Sequence, residues 1–220
     1  MSAGTTQAPA LQIDVWFDLI CPWCLIGKRH LDSALAEWRR QRPTDAVAVR
    51  WHPVRLIDGV PAEGWDYAVF YERRLGSAQA VIARQAQVRL AAQQAGLAIA
   101  FERIQRFPDT APAHQLLALA GRQLGPQAQE TLVDRLFQGY FQQGQDLGSH
   151  SWLLQIAAES GLDLAEAQAQ LGLNLPSAPP VPGVPFFVFY ERLALSGAQP
   201  PAALLEAMHN ALADASAAAR

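Results

Sequence analysis

"DLICPWCLIGKRHL", residues 18–31, contains the only two cysteines of this 220-residue chain, Cys21 and Cys24. Immediately before it, "LQIDVWF" (residues 11–17) alternates around β-branched and aromatic positions, which is typical of a strand. Pro22 suits the first turn of a helix, because its missing N–H would have no partner there anyway. The two cysteines therefore stand where a strand gives way to a helix.

A helix and a second strand are predicted after the cysteines. The segment "AVAVRWHPV" (residues 46–54) reads as that strand. Strand, cysteine turn, helix and strand together make a βαβ unit. The helix has one apolar face with spacings of seven, four and three, formed by Cys24, Leu31, Leu35 and Trp38.

The rest of the chain is predicted to be helical in the middle and to close with two strands and a helix. Helices are expected at 77–95, at 112–124, around an apolar stripe at 132–141, at 150–160, and in a short segment that begins with Asp163 and Glu166 as a capping box. After the Pro/Gly-rich segment 176–185, "FFVFY" and "RLALSG" predict strands, and a helix begins near Gln199.

This order predicts an α/β protein with a thioredoxin fold, βαβ…ββα, that is split by an all-helical insertion. We expect residues 1–57 and 180–220 to form the thioredoxin-like domain. Residues 58–179 are then the helical insertion domain.

Composition and charge narrow the class of protein. Half of the residues are hydrophobic and the formal net charge is −3, which predicts a soluble globular protein without the basic surface of a nucleic-acid binder. The N-terminus lacks the basic and apolar regions of a secretion signal, and no segment approaches the roughly 20 apolar residues that span a bilayer. We therefore expect a cytoplasmic protein without nucleic-acid or membrane partners, in a compartment where paired thiols are more often reactive than structural.

The spacing of the cysteines suggests a division of labour in thiol–disulfide exchange. Cys21 is expected at the helix N-terminus, where unpaired N–H groups and the helix dipole stabilise a thiolate. Cys24 lies one turn further on and faces inward, so it should be shielded and less acidic. An exposed nucleophile and a buried resolving thiol are what such exchange requires.

Two other interpretations of the cysteine pair stay open at this point. It could be half of a zinc site, but structural zinc needs about four ligands, and neither His30 nor His52 has the spacing of a paired ligand. No metal is therefore predicted. The cysteines could also be small core residues.

A second conspicuous segment is "GVPFF" (residues 183–187), which contains Pro185. Because cis bonds before proline are infrequent, frequency alone predicts that Pro185 is an ordinary trans proline.

Five further residues are candidates for roles at the site. Asp18 is expected to be a turn or cap residue rather than a proton acceptor. Lys28 and Arg29 would either support the Cys21 thiolate electrostatically or lie on a solvated helix face. His114 is expected to be a core histidine with a satisfied hydrogen bond. Trp23 either tunes the redox poise and contacts substrate or is a surface tryptophan without a role.

Three segments carry a resemblance to a known family: "DLICPWCLIGKRHL", "FQGYFQQGQDLGSHSWLLQIAAESGL" (137–162) and "GVPFFVFYERLALSGAQP" (183–200). Together they are similar to the DsbA family of thioredoxin-fold proteins, specifically to its FrnE-like subgroup, over roughly residues 12–212. The resemblance implies a thioredoxin fold with a helical insertion, a dithiol–disulfide activity and a cytoplasmic bacterial setting.

The resemblance also implies roles for individual residues. Cys21 matches the nucleophile, Cys24 the resolving thiol, and Pro185 the cis-proline that faces them. The backbone of Val184 would pair with an extended substrate segment, a form of strand addition. Pro22 and Trp23, between the cysteines, complete the expected substrate-binding residues.

The sequence departs from the family pattern in several places, of which two bear on the site. The family usually has a helix shortly before the GVPFF segment, whereas "LGLNLPSAPPVPGVP" (171–185) is short and rich in proline. A loop is therefore expected there. Asp109 stands where the family tends to have asparagine, and a carboxylate beside a thiolate would disfavour its ionisation.

Three functions follow as hypotheses. The first is a thiol–disulfide oxidoreductase or isomerase that acts on peptide or small-molecule substrates containing a disulfide or thiol. It would have no bound cofactor and would be served by a cellular thiol reductant such as glutathione. The second is a glutathione-dependent isomerase or transferase of the 2-hydroxychromene-2-carboxylate isomerase and kappa-class type, although those enzymes typically have serine in place of the first cysteine. The third is a non-catalytic binding or chaperone-like module.

Overall fold

The computed structural model describes residues 11–173, 175 and 180–218. Its strands are β1 (Leu11–Phe17), β2 (Val47–Pro53), β3 (Trp65–Asp66), β4 (Arg106–Phe107), β5 (Phe186–Phe189) and β6 (Leu193–Ser196). Its helices are α1 (Pro22–Gln41), α2 (Tyr67–Leu75), α3 (Ala78–Gln94), α4 (Ala111–Leu124), α5 (Pro126–Gln138), α6 (His150–Glu159), α7 (Leu164–Leu171) and α8 (Pro201–Ala218). A 3₁₀ turn at Phe101–Arg103 and a π-helical turn at Gly139–Gln143 complete the elements.

The main sheet is assembled from both ends of the chain. Its order is β2-β1-β5-β6, with β1 parallel to β2 and antiparallel to β5, and with β5 antiparallel to β6. On the central strand, Val15 lies opposite Trp51 on one side and Phe187 on the other. The predicted α/β thioredoxin-type arrangement is thus confirmed.

One face of this sheet forms a core with α1 and α8. Alternate residues of β1 point into it and are almost fully buried, as a half-buried strand requires: Leu11, Ile13, Val15 and Phe17. The apolar face predicted for α1 is buried throughout, and Leu204 and Met208 of α8 are fully enclosed. Each large side chain removed from water in this way stabilises the fold by about 1.5–3 kcal/mol.

The middle of the chain contains the helices that were predicted, with their caps. Ser77 caps α3 by accepting from the N–H of Ala80, and Asp163 caps α7 by accepting from the N–H of Glu166. The block is not wholly helical, however, because β3 and β4 pair as a small antiparallel sheet. Strands of two residues are too short to show alternation, so this sheet left no signal in the sequence. The division into two domains stays a prediction.

Helix α2 was not predicted, and the loop before β5 was. None of the described residues between 172 and 185 is helical, as the proline-rich sequence indicated; residue 174 and residues 176–179 lie outside the described part. Within the described residues, no helix combines the length and the apolar character needed to span a membrane.

Candidate active site

The first cysteine is at the start of α1, as predicted. Cys21 is the N-cap residue and Pro22 is the first helical residue. The N–H of Cys21 donates to the carbonyl of Asp18 (3.1 Å), and the carbonyl of Cys21 accepts from the N–H of Cys24 (3.0 Å) and of Leu25 (3.3 Å). The Cys21 side chain makes no capping hydrogen bond. Its sulfur therefore lies at the positive end of a 20-residue helix, where a negative charge is favoured.

The second cysteine is shielded and holds its proton tightly. Cys24 is 2% exposed, and the two thiols are free. Burial raises the pKa of Cys24 well above its ordinary value, and a hydrogen bond with Cys21 and the charge on Cys21 raise that pKa further. The expectation of an inward-facing, less acidic second thiol is confirmed.

The first cysteine was expected to be exposed, and it is less exposed than expected. Cys21 is only 6% exposed, and the carbonyl of Val184 in the loop before β5 lies against its sulfur. Access remains through a cleft of about 210 Å³ that Cys21, Pro22 and Trp23 line on one side. Phe70 and Tyr71 of α2 form part of the opposite wall.

The Val184–Pro185 peptide bond is cis, and it lies against the first cysteine. The thiol of Cys21 is 3.8 Å from the carbonyl oxygen of Val184 and directed at it as a donor. The frequency argument for a trans proline is therefore wrong, and the geometry implied by the resemblance is the one observed. The six residues selected from the sequence come together: Cys21, Pro22, Trp23, Cys24, Val184 and Pro185.

A glycine that the sequence analysis passed over permits this close approach. A Cβ added to Gly27 would be 2.8 Å from Cγ of Pro185 and 3.3 Å from Cζ of Phe187. Contacts shorter than 3.0 Å are not tolerated by real Cβ atoms. Helix α1 thus has a notch one turn beyond Cys24 into which Pro185 fits.

Asp18 lies beneath the cysteines as a fully buried carboxylate. One oxygen accepts from the N–H of Leu56 (2.8 Å), and the other is 3.3 Å from Nε2 of His114. His114 is itself 2% exposed and meets the Phe17 ring edge-on. His114 is therefore a core histidine with a satisfied hydrogen bond, as expected. Asp18 is a turn residue through its backbone carbonyl, which accepts from the N–H of Cys21, but its side chain does not cap α1. Its charge also raises the pKa of Cys24, as one of the smaller contributions.

Neither role considered for Lys28 is observed. Lys28 is 3% exposed, and its Nζ binds Asp32 at 3.0 Å and Asp134 of α5 at 2.7 Å. Burial alone would lower the pKa of Lys28, but the two carboxylates outweigh it and the pKa is raised. Lys28 thus joins α1 to α5, a long-range contact that the local sequence pattern does not show. Arg29 is exposed.

Asp109 has partners of its own. Its carboxylate accepts from the N–H of Ala111 (3.1 Å) and lies 3.6 Å from a guanidinium nitrogen of Arg55. The Arg55 guanidinium offsets the negative charge of Asp109, which from the sequence was expected to disfavour ionisation of a nearby thiol.

An aromatic wall from α2 is the part of the site that the sequence analysis missed. Tyr67 and Tyr71, together with Tyr140, line a small cavity of about 40 Å³. Burial raises the pKa of Tyr67 to about 12. Burial also raises the pKa of Tyr71, and a negative charge on Cys21 raises the pKa of Tyr71 further. The aromatic residues of "YAVFYERRL" recur at helical spacing, and that signal could have indicated this face.

The family model described as the DSBA-like thioredoxin domain matches residues 12–172. The chain belongs to this family. The match begins at β1, includes both cysteines and extends through α7, so the family inferred from the three segments is confirmed. No curated protein sequence matches the chain.

Solved structures agree on the fold. A probable DsbA oxidoreductase from Streptomyces coelicolor is 26% identical, with 91% of this chain and 89% of that chain covered and a TM-score of 0.75. A 2-hydroxychromene-2-carboxylate isomerase is 12% identical, with coverage of 95% and 99% and a TM-score of 0.61. The cytosolic disulfide reductase DsbM from Pseudomonas aeruginosa, solved with GSH, is 18% identical, with coverage of 96% and 100% and a TM-score of 0.54.

Proposed function

We propose that this protein is a thiol–disulfide oxidoreductase in which Cys21 is the nucleophile and Cys24 is the resolving thiol. The Cys21 thiolate attacks one sulfur of a substrate disulfide, so that the substrate S–S bond breaks and the first substrate thiolate leaves. Cys24 then attacks the Cys21 sulfur and releases the second substrate thiolate. The protein dithiol is oxidised to a disulfide, the substrate is reduced to two thiols, and the two cysteine protons end on those thiols.

One observation carries the proposal. Cys21 stands at the start of α1 beside an open cleft, and Cys24 lies one turn behind it, buried and with a raised pKa. In this proposal the reactive sulfur is the one that substrate reaches, and the second sulfur completes the exchange.

The residues around Cys21 supply the binding surface in this proposal. The carbonyl of Val184 already faces the thiol, so an extended substrate segment would pair with the Val184 backbone by strand addition. Pro185 fixes that backbone against α1, and Pro22 and Trp23 offer apolar contacts on the near wall of the cleft. The substrates are peptides or small molecules that contain a disulfide or a thiol.

The partner that resets the cysteines is proposed to be a cellular thiol, with glutathione as the first choice. The DsbM structure, which shares the fold, contains GSH and is described as cytosolic. The protein itself would carry no bound cofactor and would act in the cytoplasm.

Trapping of a mixed disulfide tests the assignment of the two cysteines. With Cys24→Ala, attack by Cys21 on glutathione disulfide cannot be resolved, so intact-mass spectrometry should show one glutathione moiety on the protein. Cys21→Ala is the matched control and should remain unmodified, because its remaining thiol is buried. Insulin reduction should be lost in both variants. Modification of Cys21→Ala instead of Cys24→Ala would reverse the assignment and overturn the mechanism.

A glutathione-dependent isomerase is the second candidate. The fold matches that of 2-hydroxychromene-2-carboxylate isomerase over 95% of this chain, and the cleft beside Cys21 is large enough for part of a small organic substrate. Such an enzyme would need no second thiol. Turnover of 2-hydroxychromene-2-carboxylate that requires glutathione and survives Cys24→Ala would favour this candidate over the first.

A further inference from the structure

The cleft beside Cys21 has a charge opposite to that of the whole molecule. The formal net charge of the chain is −3. Yet the described residues that line the cleft include two arginines, Arg74 and Arg84, and no acidic residue. The rest of the lining is largely apolar and aromatic, with Leu56 and Phe70 among its members.

The two guanidinium groups come from different helices. Arg74 is in the last turn of α2, and Arg84 is in α3. A guanidinium nitrogen of Arg84 donates to Oε1 of Gln87 at 3.0 Å, which is a neutral partner. Arg74 has no carboxylate partner in the part of the chain that the structure describes. Burial raises the pKa of Tyr71 and the Arg74 charge opposes that change, which is consistent with a guanidinium close to the aromatic wall.

The cationic side of the cleft continues into a neighbouring groove. This groove, about 450 Å³ in volume, shares Phe70 and Arg74 with the cleft and adds Arg73. Its one acidic residue, Asp66, is engaged in capping α2, where its carboxylate accepts from the N–H of Val69 at 2.9 Å. Arginines thus line both the outer groove and the cleft that contains Cys21.

We propose that this cleft selects small disulfides that carry carboxylate groups, which bind Arg74 and Arg84 while the S–S bond reaches Cys21. A planar guanidinium can hold a carboxylate through two parallel hydrogen bonds, which makes arginine the suitable cation for this recognition. The apolar wall between the arginines and the sulfur accommodates the uncharged middle of such a molecule. The inference rests on the proposed function and names its substrate class.

The reaction on such a molecule needs no additional reagent. The carboxylate-bearing disulfide is the oxidant and is reduced to two carboxylate-bearing thiols. The Cys21–Cys24 dithiol is the reductant and becomes a disulfide. The two protons lost by the cysteines are taken up by the two leaving sulfurs, and the carboxylates remain unchanged.

Three disulfides of similar size but different charge test the selection. Reduced protein is mixed with 3,3′-dithiodipropionate (anionic), bis(2-hydroxyethyl) disulfide (neutral) or cystamine (cationic), and the loss of the protein's own two thiols is followed by alkylation and intact-mass spectrometry after acid quenching. The wild-type rate constant should be about tenfold higher for the anionic than for the neutral disulfide, and lowest for the cationic one. Equal rate constants for the three would overturn the proposal.

Single substitutions assign the effect to the cleft. Arg74→Gln and Arg84→Gln should each bring the ratio of anionic to neutral rate constants towards one. Because a ratio is compared within one variant, a partial loss of folded protein cancels. Arg29→Gln removes the same charge from an exposed position on α1 and should leave the ratio as in the wild type. A ratio that survives in both cleft variants would contradict the proposal.

A non-reactive analogue separates this inference from the proposed function. 3,3′-Thiodipropionate has the two carboxylates but no S–S bond, so it can bind without exchange. It should slow alkylation of Cys21 by iodoacetamide in the wild type and fail to do so in the Arg74→Gln, Arg84→Gln double variant. If no disulfide oxidises Cys21 but this protection is seen, the proposed function fails and the carboxylate site stands. Absence of protection removes the site.

Discussion

Cys24 must give up, during the proposed exchange, a proton that its surroundings hold tightly. Burial raises the pKa of Cys24, and the negative charges of Cys21 and Asp18 raise it further. When Cys21 is tied up in a mixed disulfide its charge is absent, so one of these contributions disappears at the moment Cys24 has to act. Asp18 stays, held by the N–H of Leu56 and by His114. Burial remains the largest cause of the raised pKa of Cys24, and the buried Asp18 carboxylate is the charge that continues to add to it.

The contribution of Asp18 can be measured with one thiol present. In a Cys21→Ser background, Asp18→Asn should lower the pKa of Cys24, because a nearby negative charge is replaced by a neutral amide of the same shape. The pKa is read from the ultraviolet absorbance of the thiolate during a pH titration.

Asp109→Asn is the matched control for this measurement. It also removes a carboxylate near α4, but one that lies against the guanidinium of Arg55. The pKa of Cys24 should not change in this variant. An identical titration curve with and without Asp18→Asn would show that the buried carboxylate does not act on the thiol.

Among the elements, helix α1 does the most to organise the site. Its N-terminus places Cys21, its apolar face buries Cys24, and its Gly27 notch receives Pro185 from the loop before β5. Lys28, one residue further on, joins it to α5. Helix α1 therefore positions the two cysteines and Pro185 relative to one another.

The notch predicts the effect of a single methyl group. Gly27→Ala places a Cβ at 2.8 Å from Pro185, so the loop or the helix must move. Overpacking of this kind destabilises a protein by about 1–3 kcal/mol, and a displaced Val184 carbonyl should also slow the reaction of Cys21 with a peptide disulfide. Urea unfolding and stopped-flow oxidation measure the two effects.

Gly172→Ala is the control for this substitution. Gly172 has φ −89° and no neighbouring atom within 4 Å of an added Cβ, so alanine should be tolerated there. Wild-type stability and reactivity in Gly27→Ala would show that the close packing of Pro185 on α1 is not needed.

The helices and strands that have local sequence signals were predictable, whereas the tertiary contacts that form the walls of the cleft were not. Alternation predicted β1, and proline with the cysteine spacing predicted the start of α1, because each depends on neighbours in sequence. The burial of Lys28 depends on Asp134, which lies far along the chain. The wall formed by Tyr71 and Arg74 depends on how α2 packs across the cysteines. Such contacts follow from tertiary structure, so one sequence does not show them.

At the scale of the whole molecule, one cysteine and three tyrosines with raised pKa values make the free energy of unfolding decrease at alkaline pH. The pKa of Cys24 is raised from its ordinary value of 9.0. The pKa of Tyr67 is raised from 10.0 to about 12, and the pKa values of Tyr71 and Tyr140 are raised as well. Above these ordinary values the unfolded chain releases protons that the folded protein retains. Higher pH therefore favours unfolding.

We expect the free energy of unfolding of the reduced protein to fall as the pH rises past 9, and to fall more steeply past 10. Urea titrations at a series of pH values measure this. Cys24→Ala should remove much of the loss between pH 9 and 10, whereas Cys21→Ala should retain most of it, because burial of Cys24 is the largest cause of its raised pKa. The same pH dependence in Cys24→Ala and the wild type would contradict this assignment.

The contact between Cys21 and Val184 joins positions that are 163 residues apart, and β5 pairs with β1 across a similar interval. A ribosome finishes both thiols long before it makes the strand and loop that shelter them. Throughout that interval the nascent chain contains Cys21 and Cys24 but not yet Val184 or β5. The two thiols can therefore react with surrounding thiols and disulfides before the completed site encloses them.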